Sequence, residues 1–151
     1  NVLDNAVFSL ELSGIKKHES YPKAKKLMSE FFLNGSENKY PHQLSKGMKQ
    51  RVSLIRSFLT NRPILLLDEP FSPLDSITKE DLQDWLINIL KKHNKSVVLV
   101  THNIDEALKI SNKLIVLNGD PAKIVTEISI NKKSNLANLK IKIKELLKRN
   151  E

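Results

Sequence analysis

Four aliphatic residues in a row, Ile64-Leu65-Leu66-Leu67, run directly into two carboxylates, Asp68 and Glu69, and then into Pro70. An apolar run this short, with no polar alternation, suits a strand buried on both faces, as in the interior of a parallel sheet. A second such run, Ser96-Val97-Val98-Leu99-Val100-Thr101, follows one long amphipathic stretch, Ser76 to Lys92, that would bury Leu82, Trp85, Leu86 and Ile89. Strand, helix and strand at this spacing form a βαβ unit, so the chain reads as α/β with a parallel sheet. Adjacent carboxylates at a strand end are costly to bury unless a cation or a reaction uses them, and ligands of open α/β sheets lie beyond that end of the strands. By itself the pair is equally well read as an ordinary acidic turn.

Elsewhere the pattern predicts helices over residues 4–12 and about 22–33, the second with Pro22 near its start and Leu27, Phe31 and Phe32 on one face. A third helix is expected from Ser45 to about Thr60, with Met48, Val52, Ile55 and Leu59 at helical spacing. Past the second strand come a helix around Ile104–Ile110, strands at Lys113–Leu117 and Lys123–Ile130 that join the parallel pattern, and a lysine-rich helix from about Leu136 to Arg149. That last helix carries Leu136, Leu139, Ile143 and Leu146 along one side.

The formal charge of +8 raises the question of a nucleic-acid partner, and its location answers it. Residues 131–151 hold seven Lys/Arg against two Glu, so most of the excess belongs to the tail. With aromatic residues at only 5%, a base-stacking module is disfavoured, and a lysine-rich helix is more often a solvated face. The absence of cysteine removes thiol chemistry and Cys-based zinc, and His18, His42, His93 and His102 show no metal-binding spacing.

Leu44-Ser45-Lys46-Gly47-Met48-Lys49-Gln50-Arg51 offers a second chemical feature. Ser45 stands where a helix starts, so its hydroxyl and the next backbone N–H groups can receive an anion, and Gly47 permits close backbone approach. Read alone, this is more simply a serine N-cap with a glycine in the first turn. Order and spacing change that reading. Leu44 to Arg51, then Ile64 to Pro70, then Ser72-Pro73-Leu74-Asp75, then His102 after a strand, together resemble the ABC ATPase family in order and separation. Asp75 to Glu80, His102 to Ala107 and Asn118 to Val125 add likeness to its nitrate, sulfonate and taurine importer branch, which includes importers of thiamine precursors. The signature departs from the common Leu-Ser-Gly-Gly-Gln form at Lys46 and Met48.

The resemblance covers the chain to about Ile130. It implies a partial P-loop NTPase (RecA-like) core plus the α-helical signature subdomain, divided as residues 1–60 helical subdomain, 61–130 C-terminal half of the core and 131–151 basic tail. It also implies ATP and Mg²⁺ as cofactors. Ser45, Gly47 and Met48 would belong to the signature that meets the γ-phosphate held by a partner subunit, and Asp75 to the D-loop between the two sites of a dimer. Asp68 would be the magnesium residue, Glu69 the catalytic base and His102 the switch histidine. The implied partners are a second ATP-binding subunit and transmembrane permease subunits, at the cytoplasmic face of the membrane, with no nucleic acid. None of Gly14, Gly35, Gly47 and Gly119 is followed by Lys-Ser/Thr, so the phosphate-cradling loop of such enzymes is not in this sequence. The expectation is a fragment that begins just after the Q-loop and is inactive alone. Half a sheet on its own would also leave apolar faces bare. The alternative is a non-catalytic half that offers Ser45 to an intact partner.

Overall fold

The N-terminal helix, α1 (Val2–Leu12), starts where Asn1 caps it, the Asn1 side chain accepting from the Asp4 N–H at 2.9 Å, and it buries Val2, Leu3, Ala6, Val7 and Leu10. This computed structural model describes residues 1–72, 74–131 and 134–148, arranged as two compact units, 1–98 and 99–151. Pro73 of the Ser72–Asp75 motif, and Lys132, Lys133, Arg149, Asn150 and Glu151 of the basic tail, lie outside the described residues.

In the first unit α1 packs on α2 (Lys17–Glu30) and α3 (Lys46–Leu59). The second helix starts five residues earlier than its proline suggests, so Pro22 lies inside it. Its first turn is held instead by tertiary bonds. Lys17 Nζ and the Tyr21 hydroxyl both donate to Asp4 Oδ1, at 2.8 and 2.5 Å, and this anchorage offsets the backbone bond that proline removes. The helix also ends sooner. Phe31 is fully buried, whereas Phe32 takes a left-handed φ of +53° and is exposed, so the apolar face is completed by Ala24 and Met28 rather than by Phe32.

After α3 come β1 (Ile64–Asp68), α4 (Ser76–Lys92) and β2 (Ser96–Val100), with β1 and β2 in a parallel two-stranded sheet. Phe31 contacts Phe58 of α3 and Trp85 of α4 edge-on, with centroids 5.5 and 4.2 Å apart. Trp85 is only half-buried, and its indole N–H donates to the Glu30 carbonyl at 3.2 Å. The Glu30 carboxylate accepts from His93 at 2.7 Å and pairs with Lys92 at 3.2 Å, tying the C-termini of α2 and α4. β1 is not buried on both faces. Leu65 and Leu67 point into the core, but Ile64 and Leu66 are 53% and 76% exposed. The continuous apolar run conceals an alternation because one side of the strand is left exposed among the described residues.

The second unit contains α5 (Ile104–Ile110), β3 (Lys113–Asn118), β4 (Lys123–Ser129) and α6 (Leu136–Lys148). β3 and β4 pair antiparallel, Leu114 opposite Ile128 and Val116 opposite Thr126, so they do not continue the parallel pattern. Only four residues join them, and a parallel return needs a crossover of a dozen or more. Gly119 turns the hairpin at φ +95°, a region other residues rarely adopt. Leu108, Leu114, Val116, Ile128 and Ile143 form the core of this unit, and Leu139 and Leu147 of α6 pack against it, while Leu136 stays largely exposed.

Candidate functional site

Two helix N-termini meet in the first unit. Leu44 is buried and fixes the approach to α3, whose cap is Ser45: its hydroxyl accepts from the Met48 N–H at 3.2 Å. Asp75 caps α4 in the same way, accepting from the Thr78 N–H at 3.0 Å. That N–H is the leading cause of an Asp75 carboxyl pKa held below its ordinary value, because it favours the charged form. Gly47 lies between the two helices. A Cβ there would come 3.0 Å from Thr78 Cγ2 and 4.0 Å from Leu74 Cδ2. The glycine is thus a packing requirement that lets the first turn of α3 lie against that of α4, and both positive helix ends reach one region.

The acidic pair lies at the end of β1, immediately before the turn that leads to Asp75. Asp68 is exposed and Glu69 half-buried, while the next two residues, Pro70 and Phe71, are buried anchors. Glu69 has a φ of +44°, an uncommon conformation for a residue with a side chain, which costs on the order of 1–3 kcal/mol. The Ser72 N–H donates to the Glu69 carbonyl at 3.2 Å and closes the turn around it. The buried Pro70 and Phe71 and the Ser72 bond hold the Glu69 backbone in this conformation.

His102 belongs to the second unit, exposed, in the turn between β2 and α5. Its neighbours form a brace that the sequence reading did not single out. Asn103 Oδ1 caps α5 by accepting from the Asp105 and Glu106 N–H groups at 3.0 and 3.2 Å. The Thr101 hydroxyl donates to the buried Glu106 carboxylate at 2.7 Å and accepts from the Asn103 N–H at 3.0 Å. Asn103 with Glu three residues on is a cap signature and could have revealed this brace.

Among the described residues no group of three or more His, Asp or Glu could hold a metal by itself. Asp68 fits a narrower role, since Mg²⁺ commonly takes one or two protein carboxylates and completes its shell with water and phosphate oxygens. The residues present therefore fit part of a magnesium nucleotide site. No helix among the described residues is long and apolar enough to cross a membrane.

Residues 2–72, which include Ser45, Gly47, Asp68 and Glu69, match the ABC transporter family model. Over 129 residues, 85% of the chain, it is 43% identical to an uncharacterized ABC transporter ATP-binding protein of Methanocaldococcus jannaschii, covering 48% of that protein. It is 40% identical over 129 residues to the formylaminopyrimidine import ATP-binding protein ThiZ of Halalkalibacterium halodurans, covering 85% of this chain and 52% of ThiZ. Against the taurine import ATP-binding protein TauB of Shigella flexneri the identity is 37% over 131 residues, with 87% and 51% covered. In structure the chain resembles a metal-chelate type ABC transporter in an inward-facing conformation, with a TM-score of 0.73 and 26% identity over 82% of this chain and 51% of that one. The chain spans about half the length of the curated relatives it matches. With the signature, the acidic strand end and the fold all agreeing, the chain is a homologue of the ABC transporter ATP-binding proteins over about 85% of its own length.

Proposed function

We propose that the chain serves in the ATP-binding subunit of an ABC importer, contributing the residues that complete and trigger the nucleotide site rather than those that grip the phosphates. Ser45, Gly47 and Met48 present the α3 terminus to the γ-phosphate of ATP held by a second ATP-binding subunit. Asp68 supplies one ligand to Mg²⁺, which when bound neutralises charge on the phosphate oxygens. The Glu69 carboxylate accepts a proton from the attacking water, His102 hydrogen-bonds the γ-phosphate, and Asp75 closes the loop that joins the two sites of the dimer. The phosphate cradle is supplied by residues other than these. Residues 1–60 serve as the helical subdomain, 61–130 as the C-terminal half of the ATPase core and 131–151 as a basic tail. The subunit docks peripherally on permease subunits at the cytoplasmic face and drives uptake of a small solute, taurine-like or formylaminopyrimidine-like by analogy with the relatives.

The observation that supports this best is the close approach at Gly47, where a Cβ would stand 3.0 Å from Thr78. A plain first-turn glycine has no need of such contact, whereas a helix terminus set against the start of α4 so as to present Ser45 does. The test is ATP-dependent association of this chain with an intact ATP-binding subunit such as TauB. Association is expected to be lost in Gly47→Asp, and in Glu69→Gln to persist longer than in the parent because hydrolysis is blocked. Alone, the chain is expected to hydrolyse no ATP. Hydrolysis by the isolated chain that Glu69→Gln abolishes, or association indifferent to ATP and to Gly47→Asp, would defeat the proposal. The lack of a phosphate loop in this sequence favours one second reading, a non-catalytic half offering Ser45 to an intact partner. ATP-dependent association unchanged by Glu69→Gln would select it.

A further inference from the structure

Just ahead of the Ser45 cap two rings stand in solvent, where the packing of the first unit makes no use of them. Tyr40 is 56% exposed and His42 is exposed as well, yet their rings lie nearly parallel, with 10° between planes and 6.0 Å between centroids. One exposed aromatic side chain is ordinary. Here, however, the backbone that carries the pair is braced on every side. Pro41–Gln43 form a 3₁₀ turn in which the Gln43 N–H donates to the Tyr40 carbonyl at 2.9 Å, and the Tyr40 N–H donates to Gln43 Oε1 at 2.8 Å. Upstream, the Val2 and Leu3 N–H groups donate to the Lys39 and Glu37 carbonyls at 2.9 and 3.1 Å, and downstream Leu44 is buried. The rings are therefore set in place before any ligand arrives, which lowers the ordering cost of binding one.

Their distance from Ser45 indicates what they could take. From His42 the chain rises about 2 Å through the turn to Gln43 and then about 3.3 Å per residue through the extended Leu44 to Ser45, roughly 9 Å in all. That is comparable with the stretch from the terminal phosphate of a nucleotide, along the phosphate chain and the ribose, to the base. A nucleotide whose γ-phosphate meets Ser45 therefore has its base within reach of the two rings. A planar base stacks on an aromatic face whatever hydrogen-bonding edge it carries. Two rings are too few to track a nucleic-acid strand, but a single base needs no more.

We infer that Tyr40 and His42 form a stacking seat for the base of the nucleotide held by the second ATP-binding subunit, so that this chain reads the base as well as the γ-phosphate. The inference rests on the role given to Ser45 under the proposed function. To test it, the ATP concentration that half-saturates association of this chain with intact TauB is measured for the parent and for variants at position 40. Tyr40→Ala keeps the Tyr40 backbone N–H that bonds Gln43, so the circular dichroism should be unaltered. It is expected to raise the half-saturating concentration at least about fivefold, and Tyr40→Phe to leave it unchanged. With etheno-ATP, whose base fluoresces and is quenched by stacking, docking of the parent on loaded TauB is expected to add quenching that Tyr40→Leu lacks. An unchanged ATP requirement in Tyr40→Ala, with Gly47→Asp still abolishing association, would overturn this inference and spare the functional proposal. Weaker association in Tyr40→Ala without any added quenching by the parent would also overturn it, because the ring would then touch the partner protein and not the base. Association that ATP does not promote would sink both.

Discussion

Replacing Gly47 with alanine sets two effects of similar size against each other. Alanine is favoured over glycine within a helix by up to about 1 kcal/mol, and by less in a first turn. Against this, the new Cβ would lie 3.0 Å from Thr78 Cγ2, several tenths of an ångström inside an ordinary contact. Overpacking of that kind costs about 1–3 kcal/mol when the neighbour cannot yield. Thr78 is poorly placed to yield, because its N–H donates to the Asp75 carboxylate at 3.0 Å and so fixes the backbone that carries the methyl. The steric cost should therefore win, leaving Gly47→Ala less stable by about 1 kcal/mol, a shift of roughly 4–8 °C for a unit of this size. Thr78→Ser removes the obstructing methyl and should recover most of that loss, a coupling of about 1–2 kcal/mol between the two positions. The sole tryptophan, Trp85, set edge-on to Phe31 in the same unit, reports the transition by fluorescence in urea. If Gly47→Ala matched or exceeded the parent in stability, and the two substitutions were simply additive, the close packing of α3 on α4 would not be what requires the glycine.

At position 69 the strained φ predicts that Glu69→Gly is more stable than Glu69→Ala by about 1 kcal/mol, since both lose the side chain and only glycine is at ease there; equal urea midpoints would contradict this. Burial raises the Glu30 pKa, but the hydrogen bonds from His93 and Lys92 outweigh it and the net shift is downward. A carboxyl with a depressed folded pKa stabilises fully above its unfolded value of about 4.3 and loses that contribution as pH falls through the folded value. Acid unfolding followed at Trp85 should therefore be less steep in Glu30→Gln, and an unchanged slope would count against the tie between α2 and α4. The Tyr21 hydroxyl is held above its ordinary pKa chiefly by its bond to Asp4. Asp4→Asn should lower it in an ultraviolet titration, and no movement would mean that the bond is absent.

Features set by nearest neighbours were legible in the sequence. Ser45 and Asp75 are caps whose partners lie three residues away, and α3 and α4 start where those residues predict. The acidic pair was correctly placed at a strand end. What the sequence hid depends on distant contacts. Lys17 and Tyr21 begin α2 early because Asp4, on another helix, receives both, and no local pattern around Pro22 reveals that. The run Ile64–Leu67 reads the same whether one face or two are covered, since leucine is compatible with either. Gly47 permits close backbone approach, but nothing local tells that the neighbour is Thr78, thirty-one positions on. The Lys113–Leu117 and Lys123–Ile130 runs join the parallel pattern only by analogy with their predecessors, whereas the five residues between them are too few for a parallel crossover and require a hairpin.

The basic tail has a consequence for how this protein can be shortened. Its lysines suggest an appendage, yet Ile143 is 3% exposed within the core of the second unit, Asn118 reaches across to the Leu147 carbonyl at 2.7 Å, and Lys140 grips Asp105. Ending the chain at Ile130 would uncap Leu114, Val116 and Leu108 together. The positive charge therefore rides on a helix that the hairpin needs in order to stay folded, and charge-neutralising substitutions at Lys142 and Lys144, which face outward, are the way to remove the charge while sparing the architecture.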